Sequence, residues 1–275
     1  MQSLRVLAGA SAAMAAALLS AQTGTPLADA SKQTPAVSQE GLSVPHQDGL
    51  YPAAPPPAGT LSPERRADIL MARRDYRGAI DTYREAGESD PVILNKIGIA
   101  YHQMLQLDSA RKYYERAIKA NPKYSEAINN LGTVYYAKKN YRRATSYYSR
   151  ALKLSPQSAS IYSNLGTGLF ARKKYDQAFE AYQQALKLDP EVFEHRNSYG
   201  VLLQERSVDE RAKFHYYLAK TYAKAGMNER ALLYLRKAIE EGLKEREKIP
   251  EEPDFTALKE TPEFQELMKL EPRVL

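Results

Sequence analysis

The chain has 275 residues, a formal net charge of +6, no cysteine, no tryptophan and 20 tyrosines. The absence of cysteine excludes disulfides, cysteine-based zinc sites and a lipid-modified N-terminal cysteine. The net charge is moderate for this length, so charge alone does not indicate a nucleic-acid-binding protein.

The first 30 residues resemble a secretory signal peptide. One basic residue, Arg5, precedes an apolar run over 6–19, and small polar residues follow. The run is shorter than the roughly 20 residues that a membrane-spanning helix needs. We therefore expect residues 1–30 to be a signal peptide cleaved near residue 21 or 30, and the protein to be exported to the periplasm or secreted. The alternative is that the segment stays uncleaved and anchors the chain to the inner membrane.

Residues 31–62 have the composition of a disordered, proline-rich linker. Eight of the 16 prolines lie between Pro26 and Pro63, three of them consecutive at 55–57, and few apolar side chains recur at any period. Such a segment cannot bury a core. We expect it to act as a spacer.

Residue types recur every 34 residues from position 98 onward. Between the recurring positions, small and apolar residues fall at helical spacing in two runs separated by a polar turn. A fixed period of this length indicates a repeat protein, and each unit is predicted to be a helix, a turn and a second helix. The recurring residues are Gly98, Gly132, Gly166 and Gly200; Ala110, Ala144 and Ala178; Tyr114, Tyr148 and Tyr182; Ala117, Ala151 and Ala185; and Pro122, Pro156 and Pro190.

The pattern within a unit resembles the tetratricopeptide repeat, over about two thirds of the chain. The resemblance implies an all-α fold, a right-handed superhelical solenoid of helix-turn-helix repeats. We expect this solenoid over 63–245, with units at about 63–90, 91–124, 125–158, 159–192, 193–211 (partial) and 212–245. The residues that carry the resemblance are Leu131-Gly132-x-x-Tyr135, Tyr141-x-x-Ala144, Tyr148-x-x-Ala151 and Pro156.

Small residues are expected where the two helices of a unit approach most closely. Gly132 and Ala144 occupy such places, and a larger side chain there would cost roughly 1 to 3 kcal/mol. Tyr148 supplies bulk opposite them, and we expect its hydroxyl to reach water. Pro156 ends the second helix.

The repeat is irregular at two places. Pro91 and Gly98 are three residues closer than the later prolines are to their glycines, which predicts either a tighter turn between units or a later start of the next helix. After Pro190 no second helix follows in register. Either a helix from about 209 to 225 replaces it, or half a repeat is missing.

Residues 246–275 are predicted to form a C-terminal cap. Thr261 and Pro262 have the order of an N-cap and a first helical residue. Nearby apolar side chains would cover the end of the solenoid, which such folds need for solubility. They are Phe255, Leu258, Phe264 and Leu267.

The sequence contains no motif of an enzyme, a cofactor site or a metal site. Its four histidines, at 46, 102, 195 and 215, lack metal-ligand spacing, and neither a phosphate-binding loop nor a nucleophile elbow occurs. Gly166 and Gly168 are expected inside a helix. We therefore predict a non-catalytic protein without cofactor or metal.

In tetratricopeptide proteins, the first helices of successive units line a concave groove that receives a peptide or a partner's helix. Here that register predicts a lining rich in amides and hydroxyls, which can bond an extended peptide backbone. We expect Asn129, Asn130 and Asn164 to be available to a partner, so that replacing all three by alanine leaves thermal stability nearly unchanged. The predicted groove residues are Lys96, His102, Gln103, Asn129, Asn130, Thr133, Tyr136, Ser163, Asn164, Thr167, Phe170 and Asn197.

These observations predict an exported scaffold that binds a protein or peptide through its groove. One alternative is a structural component of an envelope complex that acts through self-association as a homo-oligomer. A second is binding of lipid or a polyanion by a basic edge at the turns, which would also permit membrane contact; export disfavours nucleic acid as the polyanion. The basic edge consists of Lys138, Lys139, Arg142, Arg143, Arg172, Lys173 and Lys174.

Overall fold

The structure is a computed structural model that describes residues 61–194 and 207–270. The predicted signal peptide and nearly all of the predicted linker lie outside the described residues. So do Gly200 and the predicted groove residue Asn197. The sequence-based expectations for these positions therefore remain predictions.

The described residues form helices in consecutive antiparallel pairs, without a strand among them, which confirms the all-α prediction. No helix in these two ranges is both long and apolar enough to cross a membrane. Two 3-10 helices, at Arg246–Glu251 and Pro253–Phe255, precede the last α-helix. The α-helices are α1 (Pro63–Ala72), α2 (Tyr76–Ala86), α3 (Pro91–Gln103), α4 (Leu107–Ala120), α5 (Ser125–Ala137), α6 (Tyr141–Leu154), α7 (Ala159–Ala171), α8 (Tyr175–Leu188), α9 (Val208–Lys224), α10 (Asn228–Glu240) and α11 (Pro262–Lys269).

A three-residue turn joins the two helices of each pair. In the first four pairs, one residue of the turn has a left-handed backbone conformation with φ near 60°, although it is not glycine. The turn between α9 and α10 has Gly226 at the same place, with φ of 74°. Polar side chains cap several helix starts; Asn140, for example, accepts a hydrogen bond from the backbone nitrogen of Arg143 at 3.2 Å. The four non-glycine residues are Arg74, Leu105, Lys139 and Lys173.

The recurring glycines give space to the recurring tyrosines. A Cβ atom on Gly132 would lie 2.6 Å from Cε1 of Tyr148, and the same contact recurs between Gly98 and Tyr114. The prediction of a close helix approach at glycine is therefore confirmed. The expectation that the hydroxyl of Tyr148 reaches water is wrong, because this oxygen is buried and has no hydrogen-bond partner among the described residues.

The irregular spacing near Pro91 has a different cause from those expected. The turn between α2 and α3 has four residues, as do the turns before α5 and α7, and α3 begins at Pro91 itself. Instead, α2 is three residues shorter than α4, with 11 residues against 14, and ends before Gly87. Gly87 has φ of 108°, which favours glycine and terminates the helix early.

The second irregularity is the disturbed repeat after Pro190. In the structure, the next helix described after α8 is α9, which is the first helix of the last pair. The ring of Phe214 in α9 lies 5.6 Å from Phe170 and 5.8 Å from Tyr182, and Tyr217 stacks on Tyr175 at 5.4 Å. α9 also pairs with α10. Residues 195–206 of the predicted partial unit lie outside the described residues, so both alternatives for that unit remain predictions. Ser207 caps α9 by accepting a hydrogen bond from the backbone nitrogen of Glu210 at 3.2 Å.

The C-terminal segment packs on the last helix pair. Its four predicted apolar residues are at most 3% exposed and join the same hydrophobic cluster as α9 and α10. Thr261 accepts a hydrogen bond from the backbone nitrogen of Phe264 at 3.3 Å, and Pro262 is the first residue of α11. This packing covers the apolar side of α9 and α10.

Candidate protein-binding cleft

A cleft of about 690 Å³ lies at the starts of α3, α5 and α7. The residues of these helices belong to three successive pairs, and the turns before α5 and α7 complete the walls. The lining combines amides and hydroxyls with two isoleucines. Its residues are Asn95, Lys96, Ile99, Tyr124, Ser125, Glu126, Asn129, Asn130, Ser155, Pro156, Gln157, Ser158, Ser160 and Ile161.

Buried asparagines form a continuous hydrogen-bonded chain beside the cleft. The Nδ2 atom of Asn164 donates to Oδ1 of Asn129 at 3.0 Å, Asn129 donates to Asn130 at 3.3 Å, and Asn130 donates to Asn95 at 3.0 Å. Each of these four residues is at most 5% exposed. The chain joins α3, α5 and α7, so it holds successive helix pairs together. We refer to it as the asparagine chain.

This arrangement contradicts the expectation that three of the asparagines can be removed without loss of stability. Alanine at Asn164 would leave the buried Oδ1 of Asn129 without its donor, and an unsatisfied buried polar group costs about 1–3 kcal/mol. Asparagine at these positions therefore has a structural role. Any contact with a partner would come in addition to it.

Serine hydroxyls on the turns and on the first residues of α5 and α7 also line the cleft. Ser155 donates to the hydroxyl of Ser125 at 2.7 Å, and Ser125 donates to Glu126 at 2.9 Å. The hydroxyls of Ser158 and Ser160 lie 3.1 Å apart. A hydroxyl oxygen has two acceptor lone pairs besides its donor, so these groups can exchange their mutual bonds for bonds to a peptide.

Lys96 carries the positive charge at one side of the cleft. Its Nζ lies 2.7 Å from Glu64 and 2.8 Å from Asp68. Burial opposes the charge, but the hydrogen bonds that Lys96 donates to Asp68 and Glu64 outweigh it and raise the pKa of Lys96. The ammonium group is therefore already neutralised by α1.

The other predicted groove residues are distributed along the helices. His102 is largely buried, with Nδ1 3.4 Å from the hydroxyl of Thr133, and burial lowers its pKa. Thr133 and Thr167 donate to backbone carbonyls of their own helices. Tyr136 and Phe170 line a second cleft of about 320 Å³ near the start of α9. Thus Lys96, Asn129 and Asn130 line the first cleft, and Gln103 and Ser163 are not among its lining residues.

The turns contribute lining residues that the groove register omits. Tyr124, Ser155 and Ser158 precede the first helices, whereas the register concerns only side chains within those helices. The recurring proline marks these turns in the sequence, since Pro156 itself lines the cleft. The recurring proline is therefore the sequence signal that indicates the turns as part of the cleft.

The predicted basic edge is partly neutralised. Lys138 pairs with Asp108 at 2.5 Å, and Arg172 donates to the hydroxyl of Thr145 at 2.8 Å. Lys173 and Lys174 are exposed. Among residues 61–194 and 207–270, no group of three histidine, aspartate or glutamate side chains could hold a metal ion.

Comparison with known protein families identifies the repeat. Residues 91–157 and 124–191 match a model of the tetratricopeptide repeat. Residues 91–191, which include α3 to α8, therefore consist of such repeats. No curated protein matches the sequence.

Solved structures similar to this chain include tetratricopeptide proteins. MamA 41-end from Desulfovibrio magneticus RS-1 has 20% identity, covering 68% of this chain and 95% of that chain, with a TM-score of 0.45. YrrB, a TPR protein with an unusual peptide-binding site, has 22% identity over 66% and 84% of the two chains, with a TM-score of 0.43. The first TPR of Spaghetti (RPAP3), bound to the HSP90 peptide SRMEEVD, has 27% identity over 38% and 83%, with a TM-score of 0.37.

Proposed function

We propose that the protein is an exported, non-catalytic scaffold that binds a peptide segment of a partner protein in the cleft at the starts of α3, α5 and α7. The cleft is the observation that carries the proposal. Its volume, about 690 Å³, is within the range of about 300–1,000 Å³ typical of ligand sites. Its polar groups suit a peptide backbone, and Ile99 and Ile161 offer apolar contact.

A bulky substitution at the wall of the cleft tests this function. Ser160 is exposed and lines the cleft, so lysine there should block a peptide while leaving the fold intact. The matched control is Ser149→Lys, because Ser149 is exposed on α6 and is not a lining residue. Partners would be captured from envelope extracts, identified by mass spectrometry and compared between the two variants.

We expect Ser160→Lys to lose a partner that both the wild type and Ser149→Lys retain. Retention of every partner by Ser160→Lys would exclude the cleft as the binding site. Light scattering on the purified protein distinguishes a monomeric scaffold from one that acts by self-association.

Export is part of the proposal and is tested separately. Its support is the sequence of residues 1–30, with a basic residue followed by a short apolar run. N-terminal sequencing of protein from the periplasmic fraction should find a start near residue 22 or 31. A chain that retains its first residues and sediments with the inner membrane would instead indicate an anchor.

A further inference from the structure

Two helix pairs carry matching stacks of tyrosine. Tyr135 and Tyr147 have ring centroids 5.2 Å apart with planes at 5°, and Tyr222 and Tyr234 have centroids 5.3 Å apart with planes at 13°. In both stacks the two tyrosines are 12 residues apart in sequence. The α5–α6 and α9–α10 pairs therefore present the same aromatic surface.

An arginine lies beside each of these two stacks, and we refer to the two tyrosines and the arginine together as the set. Arg143 and Arg230 each follow the first tyrosine of the stack by eight residues. The guanidinium of Arg143 lies 5.4 Å from the ring centroid of Tyr135, and that of Arg230 lies 5.8 Å from the centroid of Tyr222. Both arginines thus have the same position relative to their stacks.

On α9–α10, this set binds an acidic segment of the chain itself. Arg230 pairs with Glu191 at 2.5 Å and donates to the carbonyl of Pro190 at 2.7 Å. The hydroxyls of Tyr222 and Tyr234 both donate to Oε1 of Glu194, at 3.2 and 3.3 Å. One carboxylate therefore meets the arginine, and a second, three residues later, meets the two hydroxyls.

On α5–α6, the same set has no such segment. Within the part of the chain that the structure describes, Arg143 makes no ion pair and the hydroxyls of Tyr135 and Tyr147 donate to no carboxylate. A nearby carboxylate, Glu115, is paired with Arg111 at 3.4 Å. Burial, assisted by Tyr135 and Glu115, raises the pKa of Tyr147, so its hydroxyl keeps its proton at neutral pH and can donate.

The α3–α4 pair carries a third tyrosine stack, which lacks the arginine and has different charged neighbours. Tyr101 and Tyr113 stack at 5.3 Å, but Ser109 occupies the position of the arginine. There the two hydroxyls accept hydrogen bonds from Arg84 at 3.2 and 3.3 Å, and the hydroxyl of Tyr113 also donates to Glu88 at 3.3 Å. This stack therefore contacts the Arg84–Glu88 ion pair, whereas both hydroxyls of the stack beside Arg230 donate to a carboxylate.

We propose that Tyr135, Arg143 and Tyr147 form a docking site for an acidic segment of a partner protein that carries two carboxylates three residues apart. One carboxylate pairs with Arg143, and the other accepts from both tyrosine hydroxyls. Charge-assisted hydrogen bonds of this kind are roughly twice as strong as neutral ones. None of the three residues lines the cleft of the proposed function, so the two sites are tested independently.

The chain's own segment supplies the probe. An acetylated and amidated peptide with the sequence of residues 189–194 would be titrated into the full chain, and binding followed by NMR. We expect saturable binding that weakens as salt increases. Arg143→Gln should weaken it by about tenfold or more, and glutamine at both glutamates of the peptide should abolish it. The matched control is Arg142→Gln, which removes the same charge from an adjacent exposed position and should bind normally.

Tyr147→Phe provides a second variant that keeps the ring and removes only a hydroxyl, and it should weaken binding even if Arg143→Gln proves unstable. Three results would overturn the proposal: no saturable binding to the wild type at millimolar peptide, equal weakening by Arg142→Gln and Arg143→Gln, or loss of binding through Arg230→Gln while Arg143→Gln binds normally. The last result would mean that the peptide only exchanges with its counterpart on α9–α10.

Discussion

Replacing Gly132 by alanine tests the helix contact that fixes the repeat. The new Cβ would lie 2.6 Å from Cε1 and 2.8 Å from Cδ1 of Tyr148, whose side chain is fully buried and cannot swing away. Overpacking costs about 1–3 kcal/mol, and alanine recovers about 1 kcal/mol of helix propensity. We expect a net loss near the middle of this difference, about 1 kcal/mol, and a Tm lower by about 2–4 °C.

The last helix pair suggests a compensating change. Ala219 and Leu235 occupy the positions of Gly132 and Tyr148 there, and both are fully buried. Combining Gly132→Ala with Tyr148→Leu should therefore lose less stability than the sum of the two single changes, by about 1 kcal/mol. In the α1–α2 pair the corresponding positions hold Ala67 and Tyr83, which are buried in one hydrophobic cluster. A repeat can therefore accommodate alanine beside tyrosine, which limits the expected cost of Gly132→Ala.

Urea denaturation followed by circular dichroism measures this coupling on the wild type, the two single variants and the double variant. The dependence of the unfolding free energy on urea concentration shows whether each variant exposes the same amount of surface on unfolding as the wild type. A Gly132→Ala variant as stable as the wild type would refute the close contact. Strict additivity in the double variant would refute the compensation between the two side chains.

Three further changes follow from buried polar groups. Tyr148→Phe should stabilise the protein by about 1 kcal/mol, measured by urea denaturation, because it removes a buried hydroxyl without a partner among the described residues. Asn164→Ala should destabilise it by about 1–3 kcal/mol, and an unchanged midpoint would contradict a structural role of the asparagine chain. Burial lowers the pKa of His102, so the unfolded chain binds the proton more readily and stability should fall as pH decreases below about 6.5. His102→Gln should reduce this fall between pH 7.5 and 5.5, and an identical pH dependence would contradict it.

The repeat could be predicted from sequence because its packing residues recur at fixed spacing. Glycine and tyrosine recur together because the tyrosine ring packs directly against the glycine, and the structure confirms this contact. The sequence does not explain the short interval between Pro91 and Gly98, because Pro91 does not have the same role as the later recurring prolines. Proline ends a unit in the later repeats, whereas Pro91 begins a helix, and the sequence does not distinguish these roles.

The sequence predicts the cleft only in part. The repeat register predicts on which helix face a residue lies, but it does not predict the residue's hydrogen-bond partners. Asn129 and Asn164 were assigned to the groove, yet their amides bond each other at 3.0 Å, a contact between residues 35 positions apart. Such a contact depends on the offset between neighbouring helices, which the period alone does not determine. The sequence does not indicate the stack of Tyr135 and Tyr147, because its pattern does not distinguish a stacked tyrosine from one that only fills space in the core.

The asparagine chain has a direction. Each amide donates to the next one, from Asn164 to Asn129, then to Asn130 and finally to Asn95. Rotating one inner amide by half a turn would place two oxygens or two NH2 groups face to face, so the amides must keep one common orientation. The donors and acceptors beside the cleft are therefore prealigned over three helix pairs, and a bound peptide would lose little free energy in ordering them.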